Sequence, residues 1–106
     1  SFQKQAVKEG KKIYFDSARA YYDTAYHYAL LFPKDIFWRG MIRGNIGDSY
    51  FYEGNYKKAV PYLLEDLKSS MLAHHNKISD NAMITMNRLT ATYIHLGKMD
   101  SAALFK

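Results

Sequence analysis

The sequence contains no cysteine and only two prolines, Pro33 and Pro61. The first absence excludes a disulfide framework, a thiolate metal site and a cysteine nucleophile. It leaves cytoplasm and periplasm equally open. No apolar run approaches the roughly 18 residues of a membrane span. No signal-peptide pattern follows Ser1, and no strand-like alternation or low-complexity linker interrupts the chain. Hydrophobic residues make up 48% of the 106, too many for a disordered chain. The net charge of +5 is dispersed, with Lys11-Lys12 and Lys57-Lys58 the densest groupings. A nucleic-acid binder concentrates its charge on one face, so no nucleic-acid partner is expected.

What is present is a repeat. Phe15-Asp16-Ser17-Ala18, Tyr56-Lys57-Lys58-Ala59 and Met99-Asp100-Ser101-Ala102 share one plan, with alanines 41 and 43 residues apart. The second and third units also agree upstream: Gly54 with Gly97, Tyr50 with Tyr93, Ile46 with Leu89. The first unit lacks these partners. Ile42, Ile46 and Tyr50 recur at helical spacing, giving a helix from about Asp35 to Glu53. Gly54 is placed to end it in the left-handed conformation, and Asn55 to cap the next helix. Tyr56, Ala59, Val60, Leu63, Leu64 and Leu67 form that helix's apolar face, which contains Pro61. In the third unit Ser79 or Asp80 caps, Met83, Met86, Leu89 and Tyr93 line the face, Gly97 stops the helix, and Asp100 caps a final segment. Asp16 to Phe32 reads as a further helix ended by Pro33, and residues 2–12 as a weaker one containing Gly10.

The expected fold is all-α: antiparallel helical hairpins stacked in a row. One hairpin cannot bury its apolar face alone, so neighbours must stack. The single domain 1–106 divides into an incomplete repeat (1–33), a full repeat (35–76) and a partial repeat (79–106). The ending Ala102-Ala103-Leu104-Phe105-Lys106 reads as a helix cut short, so a piece of a longer protein is expected.

The run from Asn45 to Ala59 resembles the tetratricopeptide repeat. Ile46-Gly47, Tyr50, Gly54-Asn55-Tyr56 and Ala59 match that family's pattern, and Leu89, Tyr93, Gly97, Met99 and Ala102 match in the next unit. Gly47 and Ala59 are then the small residues at which paired helices touch. Asp66 and Arg43 depart from the pattern, standing where alanine and a bulky aromatic are usual. The period exceeds the family's ~34 residues. Ala59-Val60-Pro61 is similar to the longer repeats of kinesin light chains. The resemblance implies a right-handed α-solenoid and a role as a protein- or peptide-binding scaffold inside a larger bacterial regulator or sensor. It implies that the first helix of each hairpin lines a concave groove. That register puts Met41, Gly44, Asn45, Asp48, Phe51 and Tyr52 there from one helix. Ile84, Asn87, Arg88, Ala91, Ile94 and His95 join them from the next. Asn45 and Arg88 resemble groove positions that hold peptide backbone or a terminal carboxylate, so an acidic or C-terminal segment is the expected ligand. The alternative is a structural spacer that self-associates as a homodimer.

Other chemistry is poorly represented. His74 and His75 project about 100° apart on a helix and do not converge on one ion. His27 and His95 have no ligand partner at helical spacing, so no metal or cofactor is expected. Asp23 and His27, four apart, are spaced to pair on the surface. Asp16, Asp23, Glu65 and Asp66 are scattered and expected to be partly exposed, and no catalytic motif appears. Gly40, Gly44 and Gly47 fall within a helix and read as close-packing positions. The tyrosines Tyr21, Tyr22, Tyr26 and Tyr28 read as inter-helix packing.

Overall fold

In the computed structural model, residues 2–104 are described, with the side chains of residues 2–4, 6, 7 and 99–104 outside the description. Four helices follow one another: α1 (Phe2–Ala29), α2 (Ile36–Glu53), α3 (Tyr56–Ala73) and α4 (Asp80–Leu104). Among the described residues there is no strand. Each helix packs chiefly on the next, α2 and α3 most extensively, and α1 rests on α2 without reaching the backbone of α3 or α4. This is an open row of helices, as a helical-repeat array requires. It is not a closed bundle.

The α2–α3 seam is made by small residues. Gly40, Gly44 and Gly47 lie on one side of α2 and are all buried. A Cβ at Gly47 would sit 3.0 Å from Leu63 Cγ and from Tyr62 Cβ; one at Gly40 would collide with Ser69 and one at Gly44 with the Asp66 carboxylate. Close approach explains these glycines, as expected. Ile42, Ile46, Ala59 and Leu63 complete the core, with Leu89 arriving from α4.

The helix ends follow local chemistry. Asp35 caps α2 by accepting from Trp38 N–H at 3.0 Å. Gly54 closes α2 at φ +89°, Gly54 N–H donating to Phe51 O and Asn55 N–H to Tyr50 O, the paired bonds of a Schellman end. Asn55 stands at the N-cap of α3, but its side chain makes no capping bond. Ser79 Oγ accepts from Ala82 N–H at 3.1 Å and caps α4. The α3–α4 turn carries His75 and Asn76 at positive φ. Pro61 sits in α3 without ending it. Its missing N–H removes the one bond it would donate to Lys57 O, and the helix continues around it.

Several expectations are corrected. The two helices expected at 2–12 and 16–32 are a single helix, Phe2–Ala29. Gly10 lies inside it with nothing near its Cβ position, and its cost of ~1 kcal/mol is below what breaks a long helix. α1 ends at Ala29, three residues earlier than expected, and unwinds through three-residue turns before Pro33. Gly97 lies within α4 and does not stop it. Asp100 falls inside α4, so no separate final segment starts there, and the matches at Met99 and Ala102 concern side chains outside the description. The buried side of α4 is Ala82, Thr85, Leu89 and Thr92, whereas Met83, Met86 and Tyr93 are exposed. Asp66 is buried, not surface-exposed. His27 Nδ1 meets the backbone oxygen of Asp23 at 2.7 Å, not its carboxylate. Of the tyrosine string, Tyr22 and Tyr26 are half-buried, but Tyr21 and Tyr28 point to solvent.

Candidate functional site: the α2–α4 face

Met41, Asn45, Asp48 and Tyr52 recur on α2 at steps of four, three and four, which holds them on one side of the helix. Ile84, Asn87, Arg88, Ala91 and His95 do the same on α4. Asn45 and Arg88 are 43 residues apart, as are Asp48 and Ala91, and Tyr52 and His95.

Arg88 joins the two stripes. Its Nε donates to Asp48 Oδ1 at 3.2 Å and its Nη2 to the Tyr52 hydroxyl at 2.7 Å. The guanidinium also lies 4.7 Å from the ring centroids of Phe51 and Tyr52. A cation held on one edge by a carboxylate and on one face by rings is fixed in direction. Burial pushes the Asp48 carboxyl above its ordinary range, against the charge and hydrogen bond of Arg88. At the far end, the His95 ring stacks on Tyr56 at 4.4 Å, nearly parallel, and meets Phe51 edge-on at 5.9 Å. Phe51, Tyr52, Tyr56 and His95 thus form an aromatic wall beside the arginine.

The expected site residues separate into two groups. Asp48, Tyr52 and Arg88 bond directly, and His95 reaches them through Phe51. Met41, Asn45, Ile84 and Asn87 are exposed on the same helical faces, and Ala91 is half-buried. Among the described residues no hydrogen bond or ring contact ties these five to the arginine cluster. Gly44 leaves the set, because it is buried against Asp66.

Two arrangements go beyond the sequence expectations. The Asp66 carboxylate accepts from the Thr85 hydroxyl at 2.9 Å and from the Asn81 amide at 3.2 Å, joining α3 to α4. Burial raises its pKa, with Thr85 and Asn81 opposing and the nearby Asp48 charge adding to the rise. A signal existed: Asp66 falls in register with Ala59, Leu63 and Ser70, the buried stripe of α3. Arg43, which departs from the repeat pattern, lies 4.4 Å from the Tyr26 ring centroid and 5.2 Å from that of Tyr62. Its Nε donates to Glu65 at 3.1 Å. It bridges α1 and α3 by stacking, a contact that no local spacing announces.

Among the described residues, no group of three or more His, Asp or Glu side chains converges to hold a metal ion, and no helix is long and apolar enough to cross a membrane. No protein-family model, curated protein or solved structure matches the chain.

Proposed function

We propose that the chain is a helical-repeat scaffold of tetratricopeptide type that holds a protein or peptide segment along the α2–α4 face and carries out no catalysis. The observation behind this reading is the Arg88 cluster: the corresponding faces of α2 and α4 meet, and the arginine between them is oriented by Asp48, Tyr52 and Phe51. With Nε and Nη2 committed, the other guanidinium nitrogen remains for a ligand carboxylate or backbone carbonyl. The exposed Asn45 amide offers a donor and an acceptor to an extended backbone. The aromatic wall gives a ligand side chain something to stack on.

A peptide-array screen of the chain tests this. Arg88→Glu and Asn45→Ala are expected to remove or weaken the binders while leaving helical content unchanged. Binders indifferent to both substitutions, or none at all, would overturn the reading.

Exposed apolar residues support a second reading, a spacer that self-associates. Tyr14, Tyr21 and Tyr28 recur every seventh residue along the outer side of α1, and Met83, Met86 and Tyr93 line an outer side of α4. Apolar stripes of this kind mark contact surfaces. Molar mass that rises with concentration would favour this second reading, and a monomer at every concentration would exclude it.

A further inference from the structure

The N-terminal half of α1 runs past the body of the array and borders a second groove, closed on its other side by the end of α2 and the start of α3. Lys8, Lys11, Lys12, Phe15 and Arg19 lie along it on one side of α1, at steps of three, one, three and four. Lys58 faces them from α3, its ammonium 5.7 Å from the Tyr50 ring centroid. Five cations thus line the groove against three carboxylates.

The pairing of these charges decides what the groove lacks. Asp16 is held by Lys12 at 2.8 Å and by Arg19 at 3.0 Å. Glu53 is held by Arg19 at 3.1 Å, and Glu9 accepts from the Gln5 amide at 3.1 Å. Every carboxylate of the groove therefore has a partner. Of the groove's cations, Lys8, Lys11 and Lys58 form no ion pair among the described residues, against the single carboxylate of Glu9, whose partner is a neutral amide, so the groove keeps a positive excess. The floor between them is aromatic, made by Phe15, Tyr50 and Tyr52, with the Arg19 guanidinium 4.2 Å from the Tyr50 ring centroid. From residue 8 to residue 14 α1 is exposed all along its length. A helix stretch of that kind is marginal in water without lateral contacts.

We infer that this groove is a docking surface for an acidic, aromatic-bearing protein segment, adjoining the α2–α4 face at Tyr52 but with its own cations, Lys8, Lys11 and Lys58. Ligand carboxylates meet the three lysines, and an apolar or aromatic ligand side chain seats on the Phe15–Tyr50 floor. From Lys8 to Arg19 the wall measures roughly 16 Å, the reach of about five extended residues. Glu9, Asp16 and Glu53 are interleaved with the lysines, which disfavours a nucleic acid, because its backbone brings a charge at every step.

The test is fluorescence anisotropy of the chain with a short fluorescein-labelled glutamate peptide carrying a central phenylalanine, beside an oligothymidine probe. Saturable peptide binding is expected. It should weaken about tenfold or more when Lys8, Lys11 and Lys58 are all changed to Glu, weaken less when they are changed to Gln, and fall with added salt. It should be unchanged by Arg88→Glu, which separates this surface from the proposed α2–α4 site. All three lysines are exposed, and circular dichroism of the variants verifies that they fold. The inference is overturned by absence of saturable binding, by equal affinity in the triple Glu variant, by loss on Arg88→Glu, or by tighter binding of oligothymidine than of the peptide.

Discussion

The α2–α3 seam and the two flanking helices hold together in different ways. In the seam, three glycines let the backbones approach until Leu63, Asp66 and Ser69 touch the opposite helix. At the flanks, long side chains bridge the gaps: Arg19 and Arg43 between α1 and its neighbours, Arg88 between α4 and α2. Van der Waals contact in a seam has no slack. Arginine bridges across half-exposed gaps are adaptable, and exposed pairs are each worth about 0–1 kcal/mol. Stability therefore concentrates in the hairpin, and the flanks are free to present surface. The candidate peptide face and the lysine groove both lie at such bridged edges, where an arginine already sets the direction of the polar groups.

The largest expected break of this contrast is Gly47→Leu. The Cβ alone would press on Leu63 and Tyr62 at 3.0 Å, and neither neighbour sits at the end of a flexible chain. Overpacking of this kind costs about 1–3 kcal/mol or more. A lowered urea midpoint with an unchanged slope is the expected result. A midpoint equal to that of the parent would show that the seam has slack after all.

An intermediate effect concerns the one carboxylate buried in the seam. The fold raises the pKa of Asp66, so the folded chain holds a proton that the unfolded chain releases. Stability then falls as pH rises from the unfolded to the folded pKa, and it recovers on acidification through the same window. Asp48 is shifted in the same direction and contributes with the same sign. Asp66→Asn removes the buried charge and keeps an acceptor for the Asn81 amide, while the Thr85 hydroxyl turns to accept from the new amide. The variant is expected to match or exceed the parent in stability at neutral pH and to show a smaller gain toward about pH 4. Urea titrations of both proteins at the two pH values check this. A variant less stable than the parent at neutral pH would mean that the charge itself is needed between α3 and α4.

How much was legible follows the same division. The seam is written in local spacing, so Gly40, Gly44, Gly47, Ala59 and Leu63 announced it, and Gly54 ended α2 where its conformational freedom is required. The flanks are written in long-range contacts. Nothing near Arg19 points to Glu53; the repeat register set Arg88 and Asp48 on one face but did not pair them. The outward turn of Met83, Met86 and Tyr93 was hidden because an apolar stripe has the same period whether it is covered or bare. Thr85 and Thr92 took the buried side of α4. Thr85 satisfies Asp66, and Thr92 donates its hydroxyl to the Arg88 backbone oxygen at 2.7 Å.

The smallest expected effect sharpens the contrast from the other side. Gly10 and Gly97 lie inside α1 and α4, and a Cβ at either position meets nothing within 4 Å. Their cost is the backbone freedom lost on folding, with no packing role to offset it. Gly10→Ala and Gly97→Ala should each stabilise the helix locally by about 0.5–1 kcal/mol, the reverse of a larger side chain at Gly47. Far-ultraviolet circular dichroism should show equal or greater helicity, with slower amide exchange around the substituted turn. A loss of helicity at Gly10 would mean that the free edge of α1 makes a contact needing its backbone bare. Gain at these two positions together with loss at Gly47 would assign Gly47 to close packing, since all three are glycines inside helices.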